Sequence, residues 1–515
     1  MPTSRRLAAE RVALGRARVS PGRGTTHGAP GRRAVGAFVV TGLAGFIGGM
    51  GSSPIADASS NAVVGRPANT AVTPISHVVV IFQENHSFDN VLGGLCVTDR
   101  LDCDGTTSGV LHTGRRTRLA AAPDIVPNVQ HKIAHQRIAI NGGRMNGFDL
   151  IPGCSSYARR CYTQYGASQI PNLRSLAEHF VISDRTFSED PIPSWGLHLE
   201  LVAGQLGGFQ GAGPTDDAGS LPKDRGWGCD SHKDSPWKDP TNPRSRTLMV
   251  PSCIPRTDGF GPYRPSPVRY IPTILDRLTS ARLAWRIYAD TAATESGYLW
   301  SICPTFASCF YDPRRGGRPS AGWQDRSEFI ADASAGELPA YSAIMPSYEL
   351  SQHNNASMRA GDNYIASLVD AVMNGPPAQW ESTVIFITYD DCGCFYDHVP
   401  PPLRSGLGIR VPMVIVSPQA KAAFVDHTQA SFNSMLAFVE KNWRLRPLTA
   451  DDAHAYDYCR SFVFTSLPCT GAAAGTTNTT ARAAPRHVRL QQSRVPEASL
   501  RYTRAHPTAG PDDPT

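Results

Sequence analysis

The chain has 515 residues, of which 41% are apolar and 18% are charged. This composition is typical of a globular protein and excludes fibrous, collagen-like and wholly disordered chains. The formal net charge is +6, and the first 58 residues account for all of it, with eight arginines against Glu10 and Asp57. Since the remainder is formally neutral, composition gives no support to a nucleic-acid-binding surface, and we expect no nucleic-acid partner.

The start of the chain has the order of a secretory signal. An arginine-rich segment runs into an apolar stretch at Ala37 that is too short to span a bilayer, and Ala56-Asp57-Ala58 follows as a small-x-small cleavage site. We therefore predict that residues 1–58 are a signal peptide and that the protein is secreted, periplasmic or associated with the cell wall. Arg5-Arg6 and Arg32-Arg33 both suit a twin-arginine signal, with ordinary secretion and an uncleaved membrane anchor as the alternatives.

Twelve cysteines follow this segment, which is an even number. In an exported protein they favour disulfides, and no Cys-x2-Cys pair with partner histidine spacing indicates a zinc site. Connectivity cannot be read from spacing alone. Four close pairs are nevertheless candidates for short disulfide-closed loops: Cys96/Cys103, Cys154/Cys161, Cys303/Cys309 and Cys459/Cys469.

Composition divides the rest of the chain into an ordered domain and a tail. The domain is expected over residues 73–469, and the small, polar tail at 470–515 is expected to be disordered. Within the domain, residues 207–269 are dense in proline, glycine, aspartate and arginine. That stretch is too long for a plain connector and predicts a loop-rich insertion.

Short apolar runs alternate with helical patterns inside the domain. The apolar runs are rich in β-branched residues and predict strands buried on both faces, as in a parallel sheet. They are His77–Phe82, Val384–Thr388 and Val411–Val416. The helical patterns lie at Ile170–His179, Asn363–Met373 and Gln429–Trp443. This alternation predicts an α/β fold in layers.

Acidic clusters directly follow two of the predicted strands. Glu84-Asn85 comes after the first strand, and Asp390-Asp391 comes after the second. Ligand sites of open α/β sheets lie beyond the carboxyl ends of strands, so the two clusters are expected to converge on one crevice. Carboxylate and amide oxygens suit a divalent cation. Either cluster alone is better explained as a helix or turn cap, whereas the pair favours a site.

Several motifs, in order along the chain, resemble those of the bacterial phosphoesterase family, over about Ile75 to Trp443. That family includes the non-haemolytic type of phospholipase C and an exported acid phosphatase, and it belongs to the alkaline-phosphatase-like superfamily. The resemblance implies a three-layer sandwich with a mostly parallel central sheet. The motifs are Glu84-Asn-His-Ser-Phe-Asp-Asn90, Asn141-Gly-Gly-Arg-Met-Asn-Gly-Phe148, Tyr389-Asp390-Asp391 with Phe395-Tyr-Asp-His-Val-Pro-Pro401, and Arg410-Val-Pro-Met413 to Val425-Asp-His-Thr428.

The resemblance also implies a nucleophile and a metal. Ser194, in Asp190-Pro-Ile-Pro-Ser194, matches the residue that attacks phosphorus and forms a phospho-serine. One divalent cation is implied, with calcium, zinc, magnesium and manganese all open. Its implied ligands are Glu84, Asn85, Asp390, Asp391 and Ser194.

Histidines occupy further positions of the family pattern. His131 and His353 stand where the family places histidines that contact phosphate or the leaving group, and His135 competes with His131 for that role. His398 and His427 also lie in family motifs, and each has the alternative role of bracing a loop.

One departure concerns the residues after the acidic pair. The family usually has glycines there, whereas this chain has Cys392-Gly-Cys394, two cysteines able to form a disulfide.

We therefore expect an exported metal-dependent phosphoesterase. The first expectation within that class is a phospholipase C-like enzyme that acts on membrane phospholipid. An acid phosphatase acting on phosphomonoesters is the first alternative. A non-catalytic exported metal-binding protein is the alternative from another class. The oligomeric state is left open.

Overall fold

The computed structural model describes residues 70–155, 160–216, 226–261, 264–312, 318–467, 469 and 481–505, to which all statements of structure below refer. The predicted signal peptide lies outside these residues. None of the helices within them has both the length and the apolar character needed to cross a membrane.

The strands of these residues form one large sheet and three small ones. In chain order they are β1 (His77–Gln83), β2 (Ser108–Val110), β3 (Arg116–Arg118), β4 (Ala120–Ala121), β5 (Thr163–Gln164), β6 (Val181–Ser183), β7 (Thr215–Asp216), β8 (Lys233–Trp237), β9 (Leu248–Pro251), β10 (Trp285–Tyr288), β11 (Trp323–Gln324), β12 (Tyr341–Ile344), β13 (Thr383–Tyr389), β14 (Met413–Val416) and β15 (Phe424–Asp426).

The α-helices are distributed between and after these strands. They are α1 (Gly94–Thr98), α2 (Ile133–Ile140), α3 (Pro171–His179), α4 (Ser194–Ala203), α5 (Ile274–Ser280), α6 (Ala307–Phe310), α7 (Glu328–Ala335), α8 (Met358–Met373), α9 (Pro377–Glu381), α10 (Phe432–Asn442), α11 (Ala450–His454) and α12 (Glu497–Ala505). Helices α3, α8 and α10 confirm the three predicted helical segments, although α8 begins earlier, at a cap formed by Ser357.

The large sheet has eight strands in the order β11-β10-β12-β1-β13-β14-β6-β15. Neighbours are parallel except for β14, which is antiparallel to both β13 and β6. One group of helices, α3, α7 and α8, packs together, and α4, α5, α10 and α11 form another. Strands β1, β13 and β14 are buried on both faces. The predicted α/β sandwich with a mostly parallel central sheet is confirmed.

The direction of β14 differs from the prediction for residues 411–416. Parallel neighbours require a connection that returns to the opposite end of the sheet, which is usually made by a helix. Residues 390–412 contain no helix, so the chain re-enters the sheet at the end where β13 stopped. An apolar run shows that a strand is buried, but it does not show the strand's direction.

The stretch predicted as a loop-rich insertion holds a separate antiparallel sheet, β7-β8-β9. A disulfide between Cys229 and Cys253 closes this region. All four closely spaced pairs named above are also disulfides. Cys392 and Cys394 are free thiols.

The predicted disordered tail needs correction for residues 481–505. This segment is hydrogen-bonded to the domain and ends in α12. The side chain of Asn172 on α3 donates to the carbonyl of Gln491 at 2.9 Å and accepts from its N–H at 2.8 Å. Asn363 on α8 makes a similar pair of bonds with Ser493. Low apolar content concealed this docking because side-chain amides far away in the sequence supply the partners.

Replacing Asn172 with alanine should release this segment. The buried Asn172 amide also donates to the Asp362 carboxylate at 2.9 Å, so its loss leaves buried groups on both sides without partners, at a cost of about 1–3 kcal/mol. We expect a lower melting temperature and faster trypsin cleavage at Arg489 and Arg494. Asn374→Ala, which removes an exposed amide bonded only to Asp370, is the matched control. Equal cleavage rates in the two variants would contradict this docking.

Candidate metal centre and active site

The two acidic clusters leave the sheet side by side. β1 and β13 are parallel neighbours whose last paired residues are Gln83 and Tyr389. The N–H of Asn85 donates to the Asp390 carboxylate at 2.7 Å, and the N–H of Asp390 donates to the carbonyl of Gln83 at 2.9 Å. Residues far apart in the chain are thus brought together at one edge of the sheet.

The carboxylates of this cluster are fully buried. Burial raises the pKa of Glu84 well above its ordinary value, and the charges of Asp390 and Asp391 raise it further. The nearby Ser194 hydroxyl lowers the pKa of Glu84, but by less. One oxygen of Glu84, one of Asp390 and the amide oxygen of Asn85 make no hydrogen bond within the described residues. Buried polar atoms are normally paired, so this group of hard oxygen donors fits a divalent cation.

His198 is a member of this cluster that the sequence analysis missed. Its Nδ1 lies 2.9 Å from the carbonyl oxygen of Trp300, which only accepts, so Nδ1 carries the hydrogen. Its Nε2 then faces Glu84 Oε1 at 3.1 Å as a second acceptor. Two facing acceptors require a proton or a cation between them. Single ligand atoms of Glu84, His198 and Asp390 lie within 4.8 Å of one another.

The four-residue separation of Ser194 and His198 could have predicted that His198 belongs to this cluster. Ser194 is the first residue of α4 and His198 comes four residues later, so the two side chains share one face of the helix. A histidine one turn after the predicted nucleophile therefore points toward the same site.

Ser194 lies at the start of α4, directly after Pro193. Its side chain is buried, and its hydroxyl makes no hydrogen bond of good geometry within the described residues. The first N–H groups of a helix have no partners inside the helix and attract anions. The hydroxyl therefore stands where a phosphate group is favoured.

His131 and His353 are each held through the same ring nitrogen, Nδ1. Nδ1 of His131 donates to the carbonyl of Val129 at 2.8 Å, and Nδ1 of His353 donates to that of Asn354 at 2.7 Å. In both residues Nε2 is buried with no partner in the described part of the chain. Burial lowers the pKa of His353 to about 4, and the charge of His131 adds to that shift. Both rings thus hold an Nε2 that has no partner among the described residues.

Hydrogen bonds connect these histidines to the rest of the cluster. The buried amide of Gln136 donates to the carbonyls of His131 and Ile192, both at 2.9 Å, which ties α2 to the segment before Ser194. The N–H of Glu84 donates to the carbonyl of Ser351 at 3.0 Å, close to His353. The ring of His353 also stacks on Trp300, whose carbonyl orients His198.

The remaining predicted histidines differ from these two. His135 is more exposed than His131, and burial together with the charge of His131 lowers its pKa. His398 lies between Asp89 at 2.6 Å and Asp104 at 3.0 Å. His427 contacts Asp184 at 2.9 Å. Both rings are therefore bonded to carboxylates, unlike those of His131 and His353, and the loop-bracing role considered for them stays a prediction.

A buried arginine holds the loop that follows Asp397. Arg410 is fully buried, and its guanidinium contacts the Asp397 carboxylate at 2.9 and 3.3 Å and Asp89 at 3.5 Å. It also donates to the carbonyls of Asp104 and Asp184. Both ends of the 397–410 loop are thereby fixed next to the segment that follows Asn85.

Most of the chain matches one known protein family. Residues 75–446 match the profile of the Phosphoesterase family. The chain belongs to the Phosphoesterase family. Membership makes it a hydrolase that acts on phosphate esters, and this sets aside the non-catalytic alternative.

Relatives of this Phosphoesterase family member include several phospholipases C. Phospholipase C A of Mycobacterium tuberculosis (strain CDC 1551 / Oshkosh) is 24% identical over 427 residues, covering 70% of this chain and 72% of that protein. The non-hemolytic phospholipase C of Burkholderia pseudomallei is 26% identical over 450 residues, covering 74% and 57%. Non-specific phospholipase C1 of Arabidopsis thaliana is 25% identical over 451 residues, covering 77% and 72%.

A solved structure of a protein in the alkaline phosphatase superfamily from Vibrio parahaemolyticus aligns with a TM-score of 0.35. It is 10% identical, and the alignment covers 78% of this chain and 74% of that one.

The two cysteines that depart from the family pattern flank a glycine that packs against Asn85. Gly393 has a φ of +50°, and its N–H donates to the Asp391 carboxylate at 2.6 Å. The Cys392 and Cys394 sulfurs are 3.9 Å apart, so the disulfide considered from the sequence is not formed. Burial raises the pKa of the Cys392 thiol, which keeps it protonated. The loop is held by backbone contacts rather than by a covalent link.

Replacing Gly393 with alanine should weaken cation binding. A Cβ at this position would lie 2.3 Å from the carbonyl oxygen of Asn85, so Asn85 or Asp391 must move. We expect titration calorimetry on metal-free protein to show an affinity lower by about tenfold or more, the usual effect of disturbing groups that orient ligands.

The matched control for this test is Gly114→Ala. Gly114 also has a positive φ, of +80°, but a Cβ there would meet nothing within 4 Å. Both variants share the cost of placing an L-residue in this backbone region. Equal affinities would show that Gly393 has no part in shaping the cation site.

Proposed function

We propose that this protein is an exported phospholipase C-like phosphoesterase that uses a divalent cation and a phospho-serine intermediate. The observation that carries the proposal is the convergence of the Ser194 hydroxyl with buried, unpartnered oxygens of Glu84, Asn85 and Asp390. A serine hydroxyl is a weak nucleophile unless a metal or a base activates it.

The oxygen-rich cluster would hold the cation. Its ligands would be Glu84, Asn85, Asp390, Asp391 and Ser194, with His198 Nε2 beside Glu84. When bound, a divalent cation lowers the pKa of a coordinated hydroxyl and neutralises charge on a phosphate group. Calcium, zinc, magnesium and manganese remain candidates, because oxygen donors discriminate weakly among them.

In the first step, Ser194 would be the nucleophile and His353 the proton donor to the leaving group. Oγ of Ser194, which would first have released its proton to solvent, attacks phosphorus, while the N–H groups at the start of α4 bind phosphate oxygens. The negative charge of the bound phosphate favours a protonated His353. Its Nε2–H then donates the proton to the leaving oxygen as the phosphorus–oxygen bond breaks, and the alcohol departs.

The second step would regenerate the serine. A water molecule attacks the phospho-serine, and the neutral Nε2 of His353 accepts the proton from that water. The bond between phosphorus and Ser194 Oγ breaks, which releases the phosphorylated group and returns Ser194 Oγ in its ionised form, with His353 protonated for the next cycle. Nε2 of His131, oriented in the same way, would contact the phosphate oxygens throughout.

A phospholipid is the substrate class that the relatives support best. Those described above are named phospholipases C, in which the leaving alcohol would be diacylglycerol. An acid phosphatase would use the same catalytic residues on a phosphomonoester. The two activities separate in an assay with phosphatidylcholine, p-nitrophenylphosphorylcholine and p-nitrophenyl phosphate, each with and without chelator.

Two observations support export. The N-terminal segment has the order of a secretory signal, and five disulfides lie within the described residues. Disulfides form and persist mainly in oxidising compartments outside the cytosol.

Ser194→Ala should abolish turnover and leave the protein folded. The hydroxyl makes no hydrogen bond of good geometry, so its loss should leave the melting temperature nearly unchanged. Acid quenching with labelled substrate should trap a phosphorylated Ser194 peptide only in the wild-type protein.

The control for that variant is Ser334→Ala, which changes an exposed serine on α7. It should retain both activity and trapping. Turnover by Ser194→Ala at the wild-type rate would refute the proposed nucleophile.

His353→Asn should slow poor leaving groups more than good ones. An alkoxide needs a proton as it leaves, whereas p-nitrophenolate does not. We therefore expect the rate of alcohol release in a single turnover, which excludes the second step that both substrates share, to fall about 10²- to 10⁴-fold on a short-chain phosphatidylcholine and much less on p-nitrophenylphosphorylcholine. His112→Asn, at an exposed histidine bonded to Asp149, is the control. Equal losses on both substrates would assign His353 to phosphate contact instead.

A further inference from the structure

A loop beside the candidate site carries the most exposed large apolar side chain among the described residues. Leu403 is 85% exposed and lies between Pro402 and Arg404. It follows three consecutive prolines, Pro400 to Pro402, whose rings restrict the backbone. A stiff loop loses little conformational entropy when its tip enters another phase. Leu403 could therefore be buried in another phase at little cost in ordering the loop.

Both ends of this loop are fixed to segments that carry site residues. At one end, the N–H and the ring of His398 bond to Asp89, which lies four residues after Asn85. At the other end, the N–H of Gly408 donates to the carbonyl of Ser188 at 2.9 Å, in the segment that leads to Ser194. The loop that carries Leu403 is therefore anchored at both ends to segments that carry residues of the candidate site.

The turn that follows α2 touches the loop, and α2 and this turn carry a second exposed apolar residue and a further arginine. A Cβ built on Gly143 would lie 3.8 Å from the side chain of Pro400, so the turn after α2 touches the base of the loop. Ile138, on the last turn of α2, is 40% exposed. Arg144 is exposed beside Gly143, and neither Arg144 nor Arg404 makes an ion pair within the described residues. The loop and the neighbouring α2 segment thus carry two exposed apolar side chains and two arginines without an ion pair among the described residues.

We propose that Leu403 and Ile138, with Arg144 and Arg404, form a surface that docks onto a phospholipid bilayer carrying anionic lipids. At membrane surfaces, apolar side chains commonly insert between the head groups and the acyl chains, and basic side chains contact anionic head groups. Docking would bring the lipid head group to Ser194 without extracting the whole lipid into water. This inference rests on the proposed function, because it assigns the substrate of that site to a membrane rather than to solution.

Vesicle binding by the full mature chain tests the proposal. Binding is measured by sedimentation with vesicles of phosphatidylcholine, with and without phosphatidylglycerol, using proteins that carry Ser194→Ala to prevent hydrolysis. Leu403→Ser should lower vesicle affinity by about tenfold or more, since a buried leucine contributes at least that much to transfer from water. Arg404→Gln should lower affinity only for the vesicles that contain phosphatidylglycerol.

The same substitutions in the active enzyme separate docking from catalysis. Leu403→Ser should slow hydrolysis of vesicle phosphatidylcholine while leaving the rate on soluble p-nitrophenylphosphorylcholine unchanged. The matched control is Ile330→Ser, at a residue that is 39% exposed on α7, and it should change neither binding nor either rate. Melting temperatures of the variants verify that each is folded.

Two results would overturn the docking surface. One is equal vesicle binding by Leu403→Ser and Ile330→Ser. The other is no vesicle binding by the parent protein, in which case the exposed tip fits a protein partner instead. Vesicle binding that depends on Leu403, together with no hydrolysis of any phosphodiester, would support the surface and refute the proposed function, so the two failures are distinguishable.

Discussion

Three carboxylates and an amide are buried at the ends of two neighbouring strands, and the geometry of the site depends on this arrangement. Burying like charges together is unfavourable unless a proton or a cation compensates them. Because β1 and β13 pair in parallel up to Gln83 and Tyr389, the next residues, Glu84 and Asp390, must lie side by side. Gly393 packs the following loop closely against the backbone of Asn85. The backbone thus fixes these oxygen donors in place, an arrangement that would preorganise a cation site.

The other site groups come from separate segments, and each has its own anchor. A helix start supplies Ser194, and the same helix supplies His198 one turn later. Backbone carbonyls accept from Nδ1 of His131 and of His353, and Nε2 of each ring has no hydrogen-bond partner among the described residues. This repeated use of carbonyls as fixed acceptors means that the tautomers are set by the main chain rather than by other titratable groups.

The sequence predicted features that depend on local pattern and missed those that depend on distant partners. Apolar β-branched runs located β1 and β13, and the position of the acidic residues after them predicted that Glu84 and Asp390 would meet. The antiparallel direction of β14 could not be read from its composition, because direction depends on how the preceding loop returns. The docking of residues 481–505 depends on amides such as Asn172, which no local pattern reveals. His198 escapes a motif-based prediction because its relation to Ser194 is a position one helical turn away on α4, which becomes visible only once the helix is known.

All five disulfides are local, since they join cysteines separated by 6 to 24 residues. Short separations make the correct partner by far the nearest one in an unfolded chain, so oxidation during folding has little tendency to create wrong long-range links. None of these bonds joins the two halves of the large sheet. The order of its strands therefore rests wholly on non-covalent contacts, and reduction would loosen individual loops without removing any connection that defines the topology.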